Sequence, residues 1–191
     1  MRQAFGNEKG ITLIEIVTVL VIIAALSAVA VPNYSRWVEK YEVNAESQKL
    51  YLDLMLGRIS AIKNNNNVLV TLDIANNRYR VHDDTNNDGV EDAGETVKVV
   101  DLLNSVQFGF FGPSIMDMDG NTVSSSVSLA SGGSVLAFDS KGEASASGSV
   151  YLIHGSDVGA SNERLRGISV VQATGGVDLW NYSASSTPPW S

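Results

Sequence analysis

The sequence predicts an α+β fold in which a long, kinked N-terminal α-helix packs on antiparallel β-sheet. Two features of the 191-residue chain carry this prediction. The first is a helical pattern from Ile11 to about Lys63, which is apolar up to Val31 and amphipathic afterwards. The second is a series of short apolar runs between residues 64 and 182, separated by Asn, Gly and Ser turns, as is typical of strands. The chain is therefore expected to have a helical part followed by one β-rich domain.

Residues 11–31 form an apolar run in which Glu15 is the only side chain that can carry a charge. At about 1.5 Å of rise per residue, such a helix is about 32 Å long and can cross a bilayer core. A carboxylate inside it costs about 2.5–3.5 kcal/mol on insertion scales, so it needs a partner. No other side chain of the run is basic. Cleavage after Gly10 would supply a cation, because Ile11 would then carry a free amine about one helical turn from Glu15.

Gly10, the apolar residue after it and Glu15 resemble the class III signal of type IV pilins and type II secretion pseudopilins. The resemblance extends through residues 32–34, where such chains commonly carry a Pro and an aromatic residue. It implies that residues 1–10 are a leader peptide, and that a prepilin peptidase cuts after Gly10 and methylates Ile11. It also implies that Glu15 pairs with the N-terminus of a neighbouring subunit. The expected location is the bacterial inner membrane, with a single pass and a periplasmic C-terminal domain that enters a pilus or pseudopilus.

Three other interpretations of the apolar run compete with this one. The run could be a secretory signal cleaved after Ala30, a plain signal anchor, or a buried core helix. It is longer than the apolar region of a secretory signal, and none of the three accounts for a carboxylate at Glu15. The sequence therefore favours the pilin-type interpretation.

Residues 32–63 are predicted to be an amphipathic continuation of the helix. Pro32 is expected to kink the helix rather than end it, because helical periodicity resumes at once. One apolar stripe, with spacings of three, four or seven, is predicted to pack on the sheet. The stripe consists of Trp37, Tyr41, Ala45, Leu52, Met55, Ile59 and Ile62, and the opposite polar face of Glu39, Lys40, Glu42, Glu46, Lys49 and Asp53.

The β-rich domain is predicted to span residues 64–182 and to consist of short strands. Asn76-Asn77 is expected to turn between the first two strands. The predicted strands are Val68–Ile74, Tyr79–His82, Val97–Leu102, Val106–Phe110, Val127–Leu129, Val135–Phe138, Ser149–Ile153, Gly167–Val171 and Val177–Tyr182. Residues 183–191, which contain Pro188-Pro189, are predicted to be a flexible tail.

Three short segments resemble the GspH/FimT type of minor pseudopilin: residues 58–63, 138–142 and 167–177. The chain has no cysteine, whereas major type IVa pilins usually close a C-terminal loop with a disulfide, and this difference favours a minor subunit. The resemblance implies a structural and assembly subunit whose partners are other pilin or pseudopilin subunits, the prepilin peptidase and the inner membrane. It does not imply an enzyme.

The sequence offers no catalytic arrangement and little support for nucleic-acid binding. His82 and His154 are the two histidines, and the serines lie in Ser/Gly-rich segments without a nucleophile elbow. The net charge of −8 argues against non-specific binding to phosphates. The alternative function is that of a FimT-like minor pilin, which captures DNA through a basic Gly-Arg-x-Arg-like stretch. At the matching place this chain has Gly175–Asp178 without a basic residue, although Arg164 and Arg166 are nearby.

Residues 84–95 match the calcium-loop pattern D-x-[DN]-x-[DN]-G-x₅-E. Gly89 permits the sharp turn that this pattern needs, and carboxylates in so short a segment repel one another without a cation. The predicted ligands are the side chains of Asp84, Asn86, Asp88, Asp92 and Glu95 and the carbonyl oxygen of Val90. The flanking residues read as strands rather than helices, so a polar acidic turn is the alternative to a Ca²⁺ site.

Overall fold

The computed structural model describes residues 10–191, apart from the side chains of Val29 and Pro32. Helix α1 spans Leu13–Asn64 and continues through residue 32, which confirms the long N-terminal helix. Asn65 follows with a φ of +54°, a left-handed conformation that asparagine tolerates and that commonly ends a helix. The chain forms two compact units, one up to Val38 and one from Glu39 to Ser191.

The described chain contains eleven strands and one short 3₁₀ helix, η1, at Gly155–Asp157. The strands are β1 (Asn67–Asp73), β2 (Arg78–Asp84), β3 (Thr96–Asp101), β4 (Val106–Phe108), β5 (Ile115–Met116), β6 (Thr122–Val123), β7 (Val127–Leu129), β8 (Val135–Phe138), β9 (Gly148–His154), β10 (Arg166–Val171) and β11 (Gly176–Asn181). Each predicted strand is present, with ends that differ by a few residues. The pair β5 and β6 was not expected, because two-residue strands leave no alternation to detect.

Two antiparallel sheets carry the body of the fold. The first has the order β3-β2-β1-β8, and the second has the order β11-β10-β9-β4 with β7 also paired to β9. β1 and β2 form the expected hairpin, with Asn67 opposite Asp84 and Asp73 opposite Arg78. β2 and β3 pair with Asp83 opposite Thr96, so the acidic segment is the connection between these two strands.

The face of α1 that packs on the sheets differs from the predicted stripe. Val43, Leu50, Leu54 and Ala61 are buried in the main core, together with residues of both sheets such as Val70, Phe138 and Ile168. The predicted core residues Trp37, Tyr41, Leu52, Ile59 and Ile62 are instead exposed.

A glycine and a hydrogen-bonded carboxylate on α1 allow the sheet to pack on this other face. A Cβ added to Gly57 would lie 3.3 Å from a methyl group of Val68, so strand β1 approaches the helix closely there. Asp53, predicted on the polar face, is buried because Tyr79 donates to its carboxylate at 2.7 Å and Lys98 Nζ lies 2.6 Å from it. Hydrogen-bonded and ion-paired carboxylates tolerate burial, which periodicity of apolar residues does not reveal.

The C-terminal segment packs on the body, so the prediction of a flexible tail is wrong for its last residues. Trp190 is 5% exposed and belongs to a second hydrophobic cluster with Ile115, Tyr151, Ile153 and Leu165. Its indole Nε1 donates to the carbonyl oxygen of Met116 at 2.8 Å. Asn181 and Ser191 exchange two backbone hydrogen bonds, at 2.8 and 3.1 Å, which hold the chain end against β11.

Candidate functional site

The first part of α1 exposes an apolar surface and satisfies its own polar groups. Its most apolar 18-residue window has a mean hydropathy of 2.7 and is not buried within the described structure, so the helix is long and apolar enough to cross a membrane. The hydroxyls of Thr18 and Ser27 donate to the carbonyl oxygens of Ile14 and Ile23, at 2.7 and 2.8 Å. These hydroxyls therefore need no partner outside the helix.

Glu15 is the charged exception in this segment. It lies in the first turn of α1, where its backbone N–H donates to the Thr12 hydroxyl at 3.3 Å. Its side chain is exposed, and within residues 10–191 its carboxylate takes part in no hydrogen bond or ion pair. Gly10 and Ile11 precede the helix and are exposed, whereas the other residues of the predicted leader, 1–9, lie outside the described part of the chain.

An apolar stripe continues along the outer side of α1 within the body. We name Leu52, Leu56, Ile59 and Ile62 the outer stripe, since their spacing of three to four residues places them along one helix face. Each is about half exposed, with fractions between 47% and 57%. Sequence reasoning found most of these residues but assigned them to the core.

Polar contacts hold the beginning of the body helix against the strands. Arg164 forms a bidentate pair with Asp157, at 2.5 and 2.9 Å, and also lies 2.6 Å from Glu39 of α1. Arg166 Nε donates to Asn44 Oδ1 at 2.6 Å. Burial lowers the pKa of the Arg166 guanidinium from its ordinary value. These two arginines are therefore structural ties between α1 and the second sheet.

The acidic segment is a closed turn organised by Asp84. The Asp84 side chain is fully buried and accepts from the backbone N–H groups of Asp88 and Gly89, at 3.2 and 2.9 Å. Asn86 Oδ1 also accepts from the Asp88 N–H at 3.0 Å. Gly89 has a φ of +78°, so the predicted sharp turn occurs there.

Glu95 closes this turn from its far end. Its carboxylate accepts from the N–H groups of Thr85 and Asp92, at 2.8 and 3.0 Å, and lies 2.6 Å from His82 Nε2. Donation from the Asp92 N–H, followed by the contact with His82, lowers the pKa of Glu95 to about 2. Sequence reasoning missed His82 as a partner of this turn, although it lies on β2 two residues before Asp84.

The structure brings the predicted calcium ligands into one turn but does not assemble them around a common point. The Asn86 amide group donates to the carboxylates of Asp88 and Asp92, at 2.9 Å each. In residues 10–191, no three His, Cys, Asp or Glu side chains form a metal-ligating group. Val90 is exposed at the tip of the turn. Calcium binding therefore stays a prediction.

Most of the chain matches the model of one protein family. The family model described as "Type II transport protein GspH" matches residues 46–174, which is more than half of the sequence. The chain belongs to the GspH family. No curated protein sequence matches this GspH-family chain at a significant level.

Three solved structures resemble this GspH-family chain at low identity. The minor pseudopilin EpsH from the type 2 secretion system of Vibrio cholerae is 17% identical, with 72% of this chain and 95% of that chain covered and a TM-score of 0.48. A second EpsH structure is 18% identical, with 77% and 99% covered and a TM-score of 0.49. The type IV minor pilin FimU of Pseudomonas aeruginosa is 12% identical, with 75% and 91% covered and a TM-score of 0.50. The FimU likeness shows a pilin-like fold.

The turn that could correspond to a DNA-binding stretch has a packing role in this GspH-family chain. Gly175 has a φ of +58°, and a Cβ added there would lie 2.0 Å from the carbonyl oxygen of Gly142. Arg58 Nε donates to that same oxygen at 2.9 Å. The two other arginines near this turn in sequence, Arg164 and Arg166, are committed to the contacts with α1 described above.

We expect Ca²⁺ to raise the melting temperature of the full-length protein in detergent relative to a chelator. A ligand that binds the folded state at about 100 times its Kd stabilises that state by about 2.7 kcal/mol. Asp92→Asn combined with Glu95→Gln should remove the difference while leaving Asp84 to hold the turn. The matched control, Asp101→Asn on β3, should retain it. Calorimetry that detects no heat of Ca²⁺ binding, with unchanged melting, would show that the segment is a polar turn.

Proposed function

We propose that the chain is a minor pseudopilin of a type II secretion system that is anchored in the inner membrane before assembly. Residues 11–31 serve as the membrane and filament-core segment, and the body from Glu39 onward serves as the periplasmic module. The observation that carries the proposal is the exposed apolar helix with a carboxylate, Glu15, at its beginning that has no ion-pair partner within residues 10–191. The GspH family description supports a secretion system, and a type IV pilus is the alternative because the FimU fold is similar.

Processing after Gly10 supplies the partner that Glu15 lacks. Cleavage by a prepilin peptidase gives Ile11 a positively charged amine, which remains basic after methylation. In an assembled filament, the Glu15 carboxylate of one subunit pairs with this amine on its neighbour. Such pairing offsets the cost of about 2.5–3.5 kcal/mol for a charge in an apolar environment.

The outer stripe supports packing against other subunits. Leu52, Leu56, Ile59 and Ile62 are exposed in the isolated chain, and burial of apolar surface contributes about 25 cal/mol per Å². A neighbouring subunit that covered the outer stripe in a filament would remove this apolar surface from water. Contact with pilin or pseudopilin subunits is therefore proposed along the length of α1.

The alternative of a DNA-binding minor pilin has weaker support. Nucleic-acid binding requires Lys or Arg side chains that are free to approach phosphates. The protein carries a net charge of −8, and Arg164 and Arg166 already contact Glu39, Asp157 and Asn44. The Gly175 turn supplies no basic residue of its own.

Mass analysis of the membrane-purified protein tests the proposed processing. We expect the mature chain to begin at Ile11 and to carry a methyl group on its N-terminal amine. Deleting the prepilin peptidase from the producing strain is the control and should leave residues 1–10 attached. A mature chain that begins at Val31 would contradict the proposal and support an ordinary secretory signal.

A further inference from the structure

Two aromatic side chains lie next to one another just beyond the apolar run. Tyr34 and Trp37 are 66% and 61% exposed, and their ring centroids are 6.1 Å apart with planes inclined by 30°. Arg36 lies between them in sequence and is also exposed. All three belong to the compact unit that ends at Val38. Exposure of large aromatic rings of this kind is unfavourable in water, and an amphipathic environment stabilises them.

Their distance from the apolar run matches the thickness of a headgroup layer. At about 1.5 Å per residue, Tyr34 and Trp37 lie about 5–9 Å along the helix axis beyond Val31. The hydrocarbon core is about 30 Å thick, and each polar interface adds roughly 5–8 Å. If residues 11–31 fill the core, Tyr34 therefore lies within the headgroup layer and Trp37 lies at its outer edge, from which its large ring can reach back into the layer.

The chemistry of the three side chains suits that layer. Trp and Tyr favour membrane interfaces because their rings are apolar while their N–H or O–H groups can remain hydrated. An Arg guanidinium can form two parallel hydrogen bonds with a phosphate group. This arrangement continues directly from the apolar helix, and its charge is complementary to lipid phosphate.

We propose that Tyr34, Arg36 and Trp37 form an interfacial anchor that binds phospholipid headgroups and fixes the depth of the subunit before assembly. The proposal rests on the membrane-spanning function proposed for residues 11–31. It commits to lipid as the occupant, because the three residues adjoin the apolar segment and carry a phosphate-binding cation. A neighbouring protein subunit on the same rings is the alternative that the experiment must separate.

Fluorescence quenching of Trp37 by brominated lipids tests this depth. The full-length protein is reconstituted in phosphatidylcholine–phosphatidylglycerol vesicles whose acyl chains carry bromine either near the headgroup or near the chain end. The difference in emission between the native protein and Trp37→Phe gives the signal of Trp37 alone, without the contributions of Trp180 and Trp190. We expect shallow bromines to quench this signal about twofold more than deep bromines, as befits an interfacial ring. Trp180→Phe provides a matched control, since its difference signal should be quenched by neither lipid.

A second label separates this proposal from the membrane-spanning function. The chain has no cysteine, so Val21→Cys accepts a single environment-sensitive fluorophore in the middle of the apolar run. We expect deep bromines to quench that label more strongly. If they do and Trp37 is quenched mainly by deep bromines, or by neither lipid, the interfacial anchor is overturned while the membrane span stands. If the label at position 21 is quenched by neither lipid, both proposals fail.

Discussion

Replacing Trp190 by alanine is expected to lower the free energy of unfolding of the body by about 3–5 kcal/mol. The side chain is 5% exposed and packs with Tyr151 and Tyr182, at ring-centroid distances of 5.7 and 5.1 Å. Its removal leaves a cavity in the second hydrophobic cluster and an unpaired carbonyl oxygen at Met116. Thermal unfolding followed by near-ultraviolet circular dichroism, with the protein in detergent, measures the loss.

Trp180→Ala is the matched control for this prediction. Trp180 lies on β11, is half-buried and donates to the Ser169 hydroxyl at 2.8 Å, so it combines the same chemistry with less burial. Its removal should cost clearly less than the removal of Trp190. A loss below about 1 kcal/mol for Trp190→Ala would mean that the C-terminal segment contributes little to the fold, and equal losses for the two variants would mean that the greater burial of Trp190 does not set its contribution.

Glu15→Gln is expected to reduce incorporation into filaments by about tenfold or more, without preventing cleavage or membrane insertion. The substitution keeps the size of the side chain and removes the charge that we propose pairs with a neighbouring N-terminal amine. An uncompensated charge in the apolar core costs about 2.5–3.5 kcal/mol, and about 1.4 kcal/mol already corresponds to a tenfold change in an equilibrium. Chemical cross-linking of neighbouring subunits in intact cells, followed by immunoblotting, measures the incorporated fraction.

Thr18→Ala separates the effect of charge from that of polarity. The Thr18 hydroxyl is satisfied by the Ile14 carbonyl oxygen within its own helix, so its loss should leave assembly normal. Mass analysis of both variants should show cleavage after Gly10. Normal incorporation of the Glu15→Gln variant would exclude the proposed pairing with the neighbour's amine.

Local patterns were enough to predict the long helix and nine of the eleven strands that the structure shows in residues 10–191. Strands such as Val68–Ile74 and Ser149–Ile153 alternate or run apolar between turn residues, and β1 and β9 occupy these positions in the structure.

The helix face that packs on the sheets could not be predicted in the same way, because α1 has apolar residues on two faces. Leu54 is buried and Leu52 is exposed, although they are the same residue type two positions apart. Close packing at Gly57 and the contacts of the buried Asp53 carboxylate with Tyr79 and Lys98 decide between the faces, and all of these are tertiary contacts.

In the candidate site, too, features within one short segment could be predicted from the sequence, whereas contacts with other segments could not. Residues 84–95 were identified as one turn because all of the pattern lies in a single short segment. The partner of Glu95 in that turn, His82, belongs to the preceding strand and falls outside the calcium-loop pattern. The contact between Arg164 and Glu39 joins residues far apart in sequence, so neither composition nor spacing could indicate it. The packing of Trp190 was missed because nearby Ser and Pro residues are typical of mobile termini.

The wide sequence separation of these contacts has a consequence for how the protein is made. Helix α1 is synthesised first, yet Arg166 meets Asn44 across 122 positions of the chain, and β10 and β11 are among the last strands to be synthesised. Until those strands arrive, Val43, Leu50 and Leu54 have no complete core to enter, and contacts over such separations form slowly. Chains interrupted before β10 should therefore expose the inner face of the helix and become substrates for chaperones and proteases.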